Sequence, residues 1–386
     1  MHLDYTCRDF KHIHRYETVV AAYLGARSEV PTLLTDLLND APDMPMAICL
    51  QGYLLKLAAH PKLASALAEI TDRARSAKST ANAREALHID ALVAWQAGQD
   101  HQAISLLEAV LSAHPTDMTA LRVAHYLHFY TGLAQNMLSS TTRVLPSWSE
   151  SDAHYPYLLG MHAFALEESG DYEQAERYGR QAAESNPADL WAVHAVAHVL
   201  YSRGEHKAGI EWLTTHESYW EGANNFRFHL HWHAALHHLQ LKDYDAALAI
   251  YDQRLEKSVA DDFYLDLCNN SALLWRLEHR NVDVGGRWQS LIEIAEAHAT
   301  DQELVFAGLH YLLSLARLGS ARFDHAVKNF QDWGTKGTYQ ADISANVALS
   351  IAHRLSHGTT PEGWQSELHR VGGSHAQREL FTELAG

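Results

Sequence analysis

The sequence predicts an all-α fold, a right-handed α-solenoid in which helical hairpins stack one upon the next. Apolar residues recur at spacings of three and four along most of the chain, as in Ala103, Ile104, Leu107, Val110 and Leu111. This period is typical of amphipathic helices. No segment alternates polar and apolar residues as a half-buried strand would. A chain of 386 residues exceeds the usual size of one compact core, whereas a repeat stack grows by packing each unit on its neighbours.

The interval between turn glycines identifies the repeat. The separations are 34, 38 and 34 residues for Gly98, Gly132, Gly170 and Gly204. Helix, glycine turn, second helix and proline is the plan of the tetratricopeptide repeat, whose period is about 34 residues. The segment 159–176 fits this plan best, because it places the small residue Ala163 where two helices touch and Tyr172 just after the turn.

The same period divides the chain into elements. We expect helix pairs at 83–115, 118–146, 155–187, 189–220, 226–257, 262–299, 303–333 and 341–370. Residues 1–80 are predicted to form helical hairpins without the repeat signature, as a cap or lid continuous with the solenoid. Residues 81–386 are predicted to form the tetratricopeptide-like superhelix with a C-terminal helical cap, irregular from Gly372 onward.

Composition limits the partners. The formal net charge of −17 repels phosphate backbones and anionic lipids, so neither nucleic acid nor a membrane is expected as a partner. The cysteines, Cys7, Cys49 and Cys268, are few and scattered. Such a pattern is typical of a reducing compartment, and it supports neither a disulfide framework nor a thiolate zinc site. We expect a cytoplasmic protein.

Histidine is the unusual residue of this chain: 28 occur, and nine of them fall between His194 and His238. We number each unit so that its turn glycine is position 15. The helical period then directs positions 2, 5, 6, 9, 12 and 13 of the first helix towards the inner groove. Polar and aromatic residues recur at these inner positions in successive units. The candidate ligand-binding residues are Glu85, His88, Arg122, Tyr126, Trp191, His229, Trp232, Asn269 and His310.

Two histidine pairs carry the sharpest chemical prediction. His194 and His198 are four residues apart, as are His229 and His233 on the next repeat, and this spacing puts two imidazoles on one helix face. Such pairs can bind a divalent metal such as zinc. They can also exchange protons near neutral pH, so the candidate catalytic residues are His194, His198, His233 and Asp266. Asp266 would orient an imidazole or hold it in the protonated form.

Other histidines have more ordinary interpretations. His231, His237 and His238 occupy packing or rim positions and are expected to be structural. His125 takes the close-packed position 8 and could lie in the core or reach the groove. Four further histidines lie in turns or second helices, and we expect them to be solvated: His101, His206, His216 and His298.

Several stretches resemble the tetratricopeptide repeat protein 38 family. The most specific is Trp-Ala-Val-His-Ala-Val-Ala-His at 191–198, and the others are 144–148, 160–168, 229–233, 251–252 and 286–288. The resemblance implies a cytosolic α-helical superhelix and supplies no catalytic residue. The family pattern includes matches to five of the groove histidines, His194, His198, His229, His233 and His310, and this chain departs from the pattern at His162 and His231.

Three functions remain open on the sequence. The first is a binding module whose groove holds a small polar molecule or a peptide end through its histidine, tryptophan and aspartate side chains. The second is an enzyme that uses the groove histidines for acid–base or metal-assisted hydrolysis or elimination. The third is a protein-interaction scaffold in which the histidines form a hydrogen-bonded core. For each function, the partners expected from the sequence are a small polar molecule or peptide, and a second copy of the chain in a homodimer is left open.

Overall fold

The protein is all-α. The structure, a computed structural model, describes residues 3–7, 9–359 and 363–385. Within them the only β feature is an isolated bridge between Arg27 and Ala223. The chain forms two compact units: unit 1 comprises 1–129, 133–196 and 218–224, and unit 2 comprises 130–132, 197–217 and 225–386. The predicted fold class is therefore confirmed.

Unit 1 consists of antiparallel helix pairs joined by short turns. Its N-terminal pairs are α1 (Phe10–Leu24), α2 (Val30–Asp40), α3 (Pro45–Leu57) and α4 (Ala64–Ala77). Three repeat pairs follow: α5 (Ala83–Gln96), α6 (Asp100–Ala113), α7 (Met118–Tyr130), α8 (Ala134–Val144), α9 (Tyr155–Glu168) and α10 (Tyr172–Ser185). Their bounds confirm the predicted pairs at 83–115, 118–146 and 155–187. The first part of α11 (Leu190–Ser202) also belongs to this unit.

Turn glycines and small residues explain the packing of these pairs. Gly98 and Gly170 have φ values of 71° and 88°, which other residues adopt at a cost. Ala163 is fully buried and lies near Gly179 of the second helix, where an added Cβ would be 2.6 Å from a methyl of Val196. Close approach of the helices therefore requires small side chains here, as predicted for position 8.

Unit 2 begins within α11 and continues with helices of more varied length. These are α12 (His206–His216), α13 (Phe226–Gln240), α14 (Tyr244–Ile250), α15 (Glu256–Ser258), α16 (Tyr264–His279), α17 (Gln289–Ala297), α18 (Val305–Leu318), α19 (Phe323–Trp333), α20 (Tyr339–Ile343), α21 (Leu349–His357) and α22 (His375–Ala385). Lys242 takes the predicted glycine-free turn with φ 61°. Short π-helical segments join α14 to α15 and α20 to α21.

The C-terminal region differs from the prediction. The expected helix pair at 341–370 ends with a 3₁₀ segment, Trp364–Val371, instead of a second α-helix. The tail from Gly372 was expected to be irregular, and that expectation is wrong, because His375–Ala385 forms the helix α22. Burial explains the helix, since Leu380 and Phe381 are 0% and 1% exposed and lie four and five residues after buried Ala376.

Among the described residues, every helix is too short or too polar to reach from one face of a bilayer to the other.

Candidate functional site

Three of the predicted histidines meet inside unit 2. His229 and His233 lie one turn apart on α13, and their Nε2 atoms are 3.2 Å apart. The ring of His198 on α11 lies 4.4 Å from that of His233, centroid to centroid. One ring nitrogen from each of the three lies within 4.8 Å of the others. The side chains are 0–3% exposed, so this histidine cluster, His198, His229 and His233, is shielded from solvent.

A hydrogen bond to Asn269 sets the tautomer of His229. Nδ1 of His229 lies 3.1 Å from Oδ1 of Asn269 on α16. An amide oxygen only accepts, so Nδ1 carries the proton and donates it. The Nε2 atom of neutral His229 is then the acceptor of the 3.2 Å hydrogen bond with Nε2 of His233. Histidine ligands of metals are usually oriented in this way by a hydrogen bond from the second ring nitrogen.

Burial keeps two rings of the cluster, His198 and His229, neutral near pH 7. Loss of hydration lowers the pKa of His229 to about 4, an effect that its bond with Asn269 only partly opposes. Burial, followed by the repulsion of His229 and other nearby basic groups, also holds the pKa of His198 well below its ordinary value. Neutral imidazole is the form that accepts hydrogen bonds and binds metals.

Trp232 forms one wall of the histidine cluster. Its ring stacks on His229 at 5.2 Å with an interplanar angle of 15° and meets His233 edge-on at 5.0 Å. Arg276 lies 5.7 Å from the Trp232 ring and is 1% exposed. We did not single out Arg276 from the sequence, although it occupies inner position 12 of its repeat, which is the signal that could have identified it.

His194 lies one turn before His198 on α11, in the part of the helix that belongs to unit 1. Residues four apart share a helix face, so both imidazoles project from the same side of α11. The ring of His194 is 3% exposed and contacts the rings of Trp191 at 5.4 Å and Phe164 at 5.3 Å. His194 is therefore held by aromatic packing within unit 1.

Arg122, Tyr126 and Trp191 also come together in unit 1. The guanidinium of Arg122 lies 4.2 Å from the Trp191 ring and 4.7 Å from the Tyr126 ring, and it donates to the Tyr126 hydroxyl at 3.1 Å. Asp189, which precedes α11, is fully buried. Burial raises its pKa to about 7, although Arg122 opposes the shift. Asp189 was not predicted, because nothing in its sequence context marks it as buried.

Glu85 and His88 take part in a structural network of unit 1. Glu85 completes a capping box with Asn82 at the start of α5 and accepts from the backbone N–H of Thr6 at 3.0 Å. His88 lies 3.1 Å from Asp117 through Nε2 and near the hydroxyl of Tyr53. The neighbouring cavity measures about 30 Å³, room for roughly one water molecule. Because these bonds support the helix ends, we leave both residues out of the proposed site.

Asp266 and His310 complete the predicted set in unit 2. Asp266, one turn before Asn269 on α16, is 1% exposed and accepts from Asn225 at 2.6 Å. Burial raises the pKa of Asp266 to about 7. His310 donates from Nδ1 to the Phe306 carbonyl at 2.8 Å, and burial lowers its pKa to about 4. His310 is thus a buried neutral ring with a backbone partner.

One of the histidines expected to be solvated is not. His298 is 7% exposed and lies between two carboxylates, with Nδ1 2.5 Å from Asp301 and Nε2 2.7 Å from Asp262. The expectation failed because the residues flanking His298 in sequence do not reveal Asp262. His101 is exposed, as expected. His125, which the sequence left between core and groove, is 1% exposed and packs against Phe164 and Trp191.

Comparisons with known proteins support the fold. No protein-family model matches the chain. A Rap protein complexed with competence and sporulation factor has a TM-score of 0.51 at 12% identity, covering 84% of this chain and 97% of that chain. The Cut9–Hcn1 hetero-tetramer of APC/C has a TM-score of 0.46 at 14% identity, covering 98% and 70%. Yeast Tom70 has a TM-score of 0.40 at 12% identity, covering 89% and 88%.

At such low identity these likenesses concern the fold alone. The resemblance to the tetratricopeptide repeat protein 38 family stays a prediction. The likeness to the Rap protein supports the broader statement that the chain has the all-α helical-repeat fold of tetratricopeptide-like proteins.

Proposed function

We propose that this chain is a helical-repeat binding protein and that its histidine cluster binds a divalent metal ion, with zinc fitting best. A helical-repeat scaffold fits a protein-interaction role. A bound metal would add a coordination site on which a ligand could be held. The observation that carries the proposal is the meeting of three buried imidazoles from α11 and α13, each with a nitrogen within 4.8 Å of the others.

The distances suit a tetrahedral metal. Zinc binds histidine nitrogen at about 2.0–2.1 Å, which separates two ligand nitrogens of a tetrahedron by about 3.3 Å. The Nε2 atoms of His229 and His233 are 3.2 Å apart. Burial favours the neutral form of the ring, and the bond from His229 to Asn269 directs its lone pair inward. His229 therefore combines three features of a metal ligand: its nitrogen lies at a suitable distance from that of His233, its ring is neutral, and a hydrogen bond fixes the orientation of the ring.

The number of ligands decides what the metal would do. With His198, His229 and His233 alone, a fourth position stays open for water, a small polar molecule or the end of a peptide. We favour three ligands, because the ring of His194 already packs against Trp191 and Phe164.

Metal titration tests the proposal directly. We expect chelator-treated protein to take up one Zn²⁺ per chain, and Co²⁺ to give the intense visible absorption of a tetrahedral site. His233→Ala should abolish stoichiometric binding. His194→Ala should retain it if three ligands suffice. His238→Ala is the matched control, since His238 lies on the same helix and pairs with Asp243 at 3.0 Å. Binding that is absent, or unchanged in His233→Ala, would refute the metal site.

A second candidate function, metal-assisted hydrolysis or elimination, is favoured by Asp266. Its pKa of about 7 suits a general base, and it lies on the same helix as Asn269. An Asp266→Asn variant that keeps its zinc would lose turnover if the chain is an enzyme. If no metal binds and His233→Ala only destabilises the fold, the cluster is a hydrogen-bonded core of a scaffold. The expected cytoplasmic location, the exclusion of nucleic acid and the homodimer stay predictions.

A further inference from the structure

The C-terminal helix α22 lies against inner positions of three repeats of unit 2. In the numbering with the turn at position 15, Tyr201 and Arg276 are at position 12, and Phe306 and His310 are at positions 2 and 6. Each of them contacts the C-terminal segment. A helix that only extended the stack would touch the last repeat alone, whereas this one returns to α11, α16 and α18.

The contacts of α22 combine an apolar anchor with charge. Phe381 is 1% exposed and meets the ring of His310 at 5.1 Å and that of Phe306 at 6.4 Å. Leu380 beside it is fully buried. Arg276 donates from Nη2 to the carbonyl of Ala376 at 2.6 Å. The aromatic residue and its leucine neighbour thus enter the repeats as a ligand side chain would.

Two glutamates one turn apart extend this contact. Glu379 accepts from the Tyr201 hydroxyl at 2.9 Å and lies 4.0 Å from Arg276. Glu383 lies 3.4 Å from Arg280. In a chain with a net charge of −17, Arg276 and Arg280 at the C-terminal end of α16 form a local basic site. The surface therefore matches an acidic amphipathic helix in both shape and charge.

The chain turns sharply just before α22, at two glycines. Gly372 and Gly373 have φ values of 80° and 78°, and a Cβ on Gly372 would be 2.7 Å from the carbonyl oxygen of Tyr130. The helix then starts at a cap of its own, in which the Ser374 N–H donates to Gln377 at 2.9 Å. With its own turn and cap, α22 is a separate segment seated on the repeats.

We propose that α22 occupies a docking site of unit 2 for a partner protein's acidic amphipathic helix, one that presents Glu-Leu-Phe-x-Glu as α22 does at 379–383, and that the partner binds by displacing it. The inference is independent of the proposed metal. A partner helix with the same anchoring residues would make the same contacts. Because α22 competes for the site, the partner must bind tightly enough to displace it.

A labelled synthetic peptide of residues 372–385 tests the proposal on the full chain. Phe381→Ala in the protein weakens its own α22, so the wild-type peptide should bind this variant roughly tenfold or more tightly than the wild-type protein. Phe330→Ala is the control, because Phe330 is a buried phenylalanine of α19 in the same unit. It should leave peptide affinity unchanged. A peptide carrying Phe381→Ala should bind neither protein.

Hydrogen exchange of the wild-type chain gives a second readout that needs no variant. Amides of α22 should exchange through local opening, faster than those of α16 and α18. The proposal is overturned if α22 exchanges only together with these helices. It is equally overturned if the peptide fails to bind a folded Phe381→Ala chain, or gains the same affinity for Phe330→Ala.

Discussion

Asp117→Asn is the perturbation whose effect follows most directly from the structure. Asp117 lies 2.5 Å from Arg84 and 3.1 Å from His88, with side chains 1%, 3% and 0% exposed. Burial alone would raise the pKa of Asp117, but His88 and Arg84 outweigh burial and hold that pKa well below its usual range. The substitution keeps the shape of the side chain and removes its charge, so Arg84 loses its counterion inside unit 1.

The expected loss can be worked from the ion pair. At an effective dielectric constant of about 20, two unit charges roughly 4 Å apart attract by about 4 kcal/mol. Breaking a buried pair by removing one partner costs about 3–5 kcal/mol, because the remaining charge stays out of water. The bond from the Ala120 amide to Asp117, 2.9 Å long, can be kept by asparagine. We therefore expect Asp117→Asn to reduce the free energy of unfolding by about 4 kcal/mol.

Hydrogen exchange of α5 and α7 amides measures this loss within unit 1, and urea unfolding measures it for the chain. Arg84→Met combined with Asp117→Asn should be less destabilising than Asp117→Asn alone, since neither charge is left unpaired. Asp72→Asn is the control: its pair with Arg75 is 73% and 50% exposed, so removing it should cost less than about 0.5 kcal/mol. A loss for Asp117→Asn no larger than that of the control would refute the reasoning.

Three further predictions concern unit 2. Gly209→Ala would bring a Cβ within 2.2 Å of the His237 ring and should lower the free energy of unfolding by about 1–3 kcal/mol, whereas Gly286→Ala, with open space around it, should change the urea midpoint little. Burial lowers the pKa of His237 to about 3 in the folded chain. As pH falls below 6.5, His237 is therefore protonated in the unfolded state but not in the folded state, and this favours unfolding. Urea titrations should show stability falling steadily towards about pH 4, and no such fall would contradict the buried neutral ring. His298 has the opposite sign: its bond with Asp301, aided by Asp262, raises its pKa against the effect of burial. Its stabilisation is fully present below pH 6.5 and is lost as pH rises through the raised pKa, so wild type and His298→Gln should converge in stability at alkaline pH.

The sequence predicted the repeats and part of the site because both depend on local periodicity. Helical spacing determines which residues share a face, and the turn interval determines the register of one repeat against the next. His198, His229 and His233 came together for this reason. The same arithmetic placed Glu85 and His88 on the inner stripe, but it could not show that Asn82, Thr6 and Asp117 engage them.

Two periods in the sequence determined the all-α fold and the helix pairs from 83 to 333: the spacing of apolar residues within each helix and the interval between turn glycines of successive repeats. Tertiary structure alone decided which charges are paired and buried, as in His298 between Asp262 and Asp301. It also decided that α22 returns to the inner surface of unit 2. The physical reason is that burial and ion pairing depend on residues distant in the chain, whereas periodicity constrains only near neighbours and adjacent repeats.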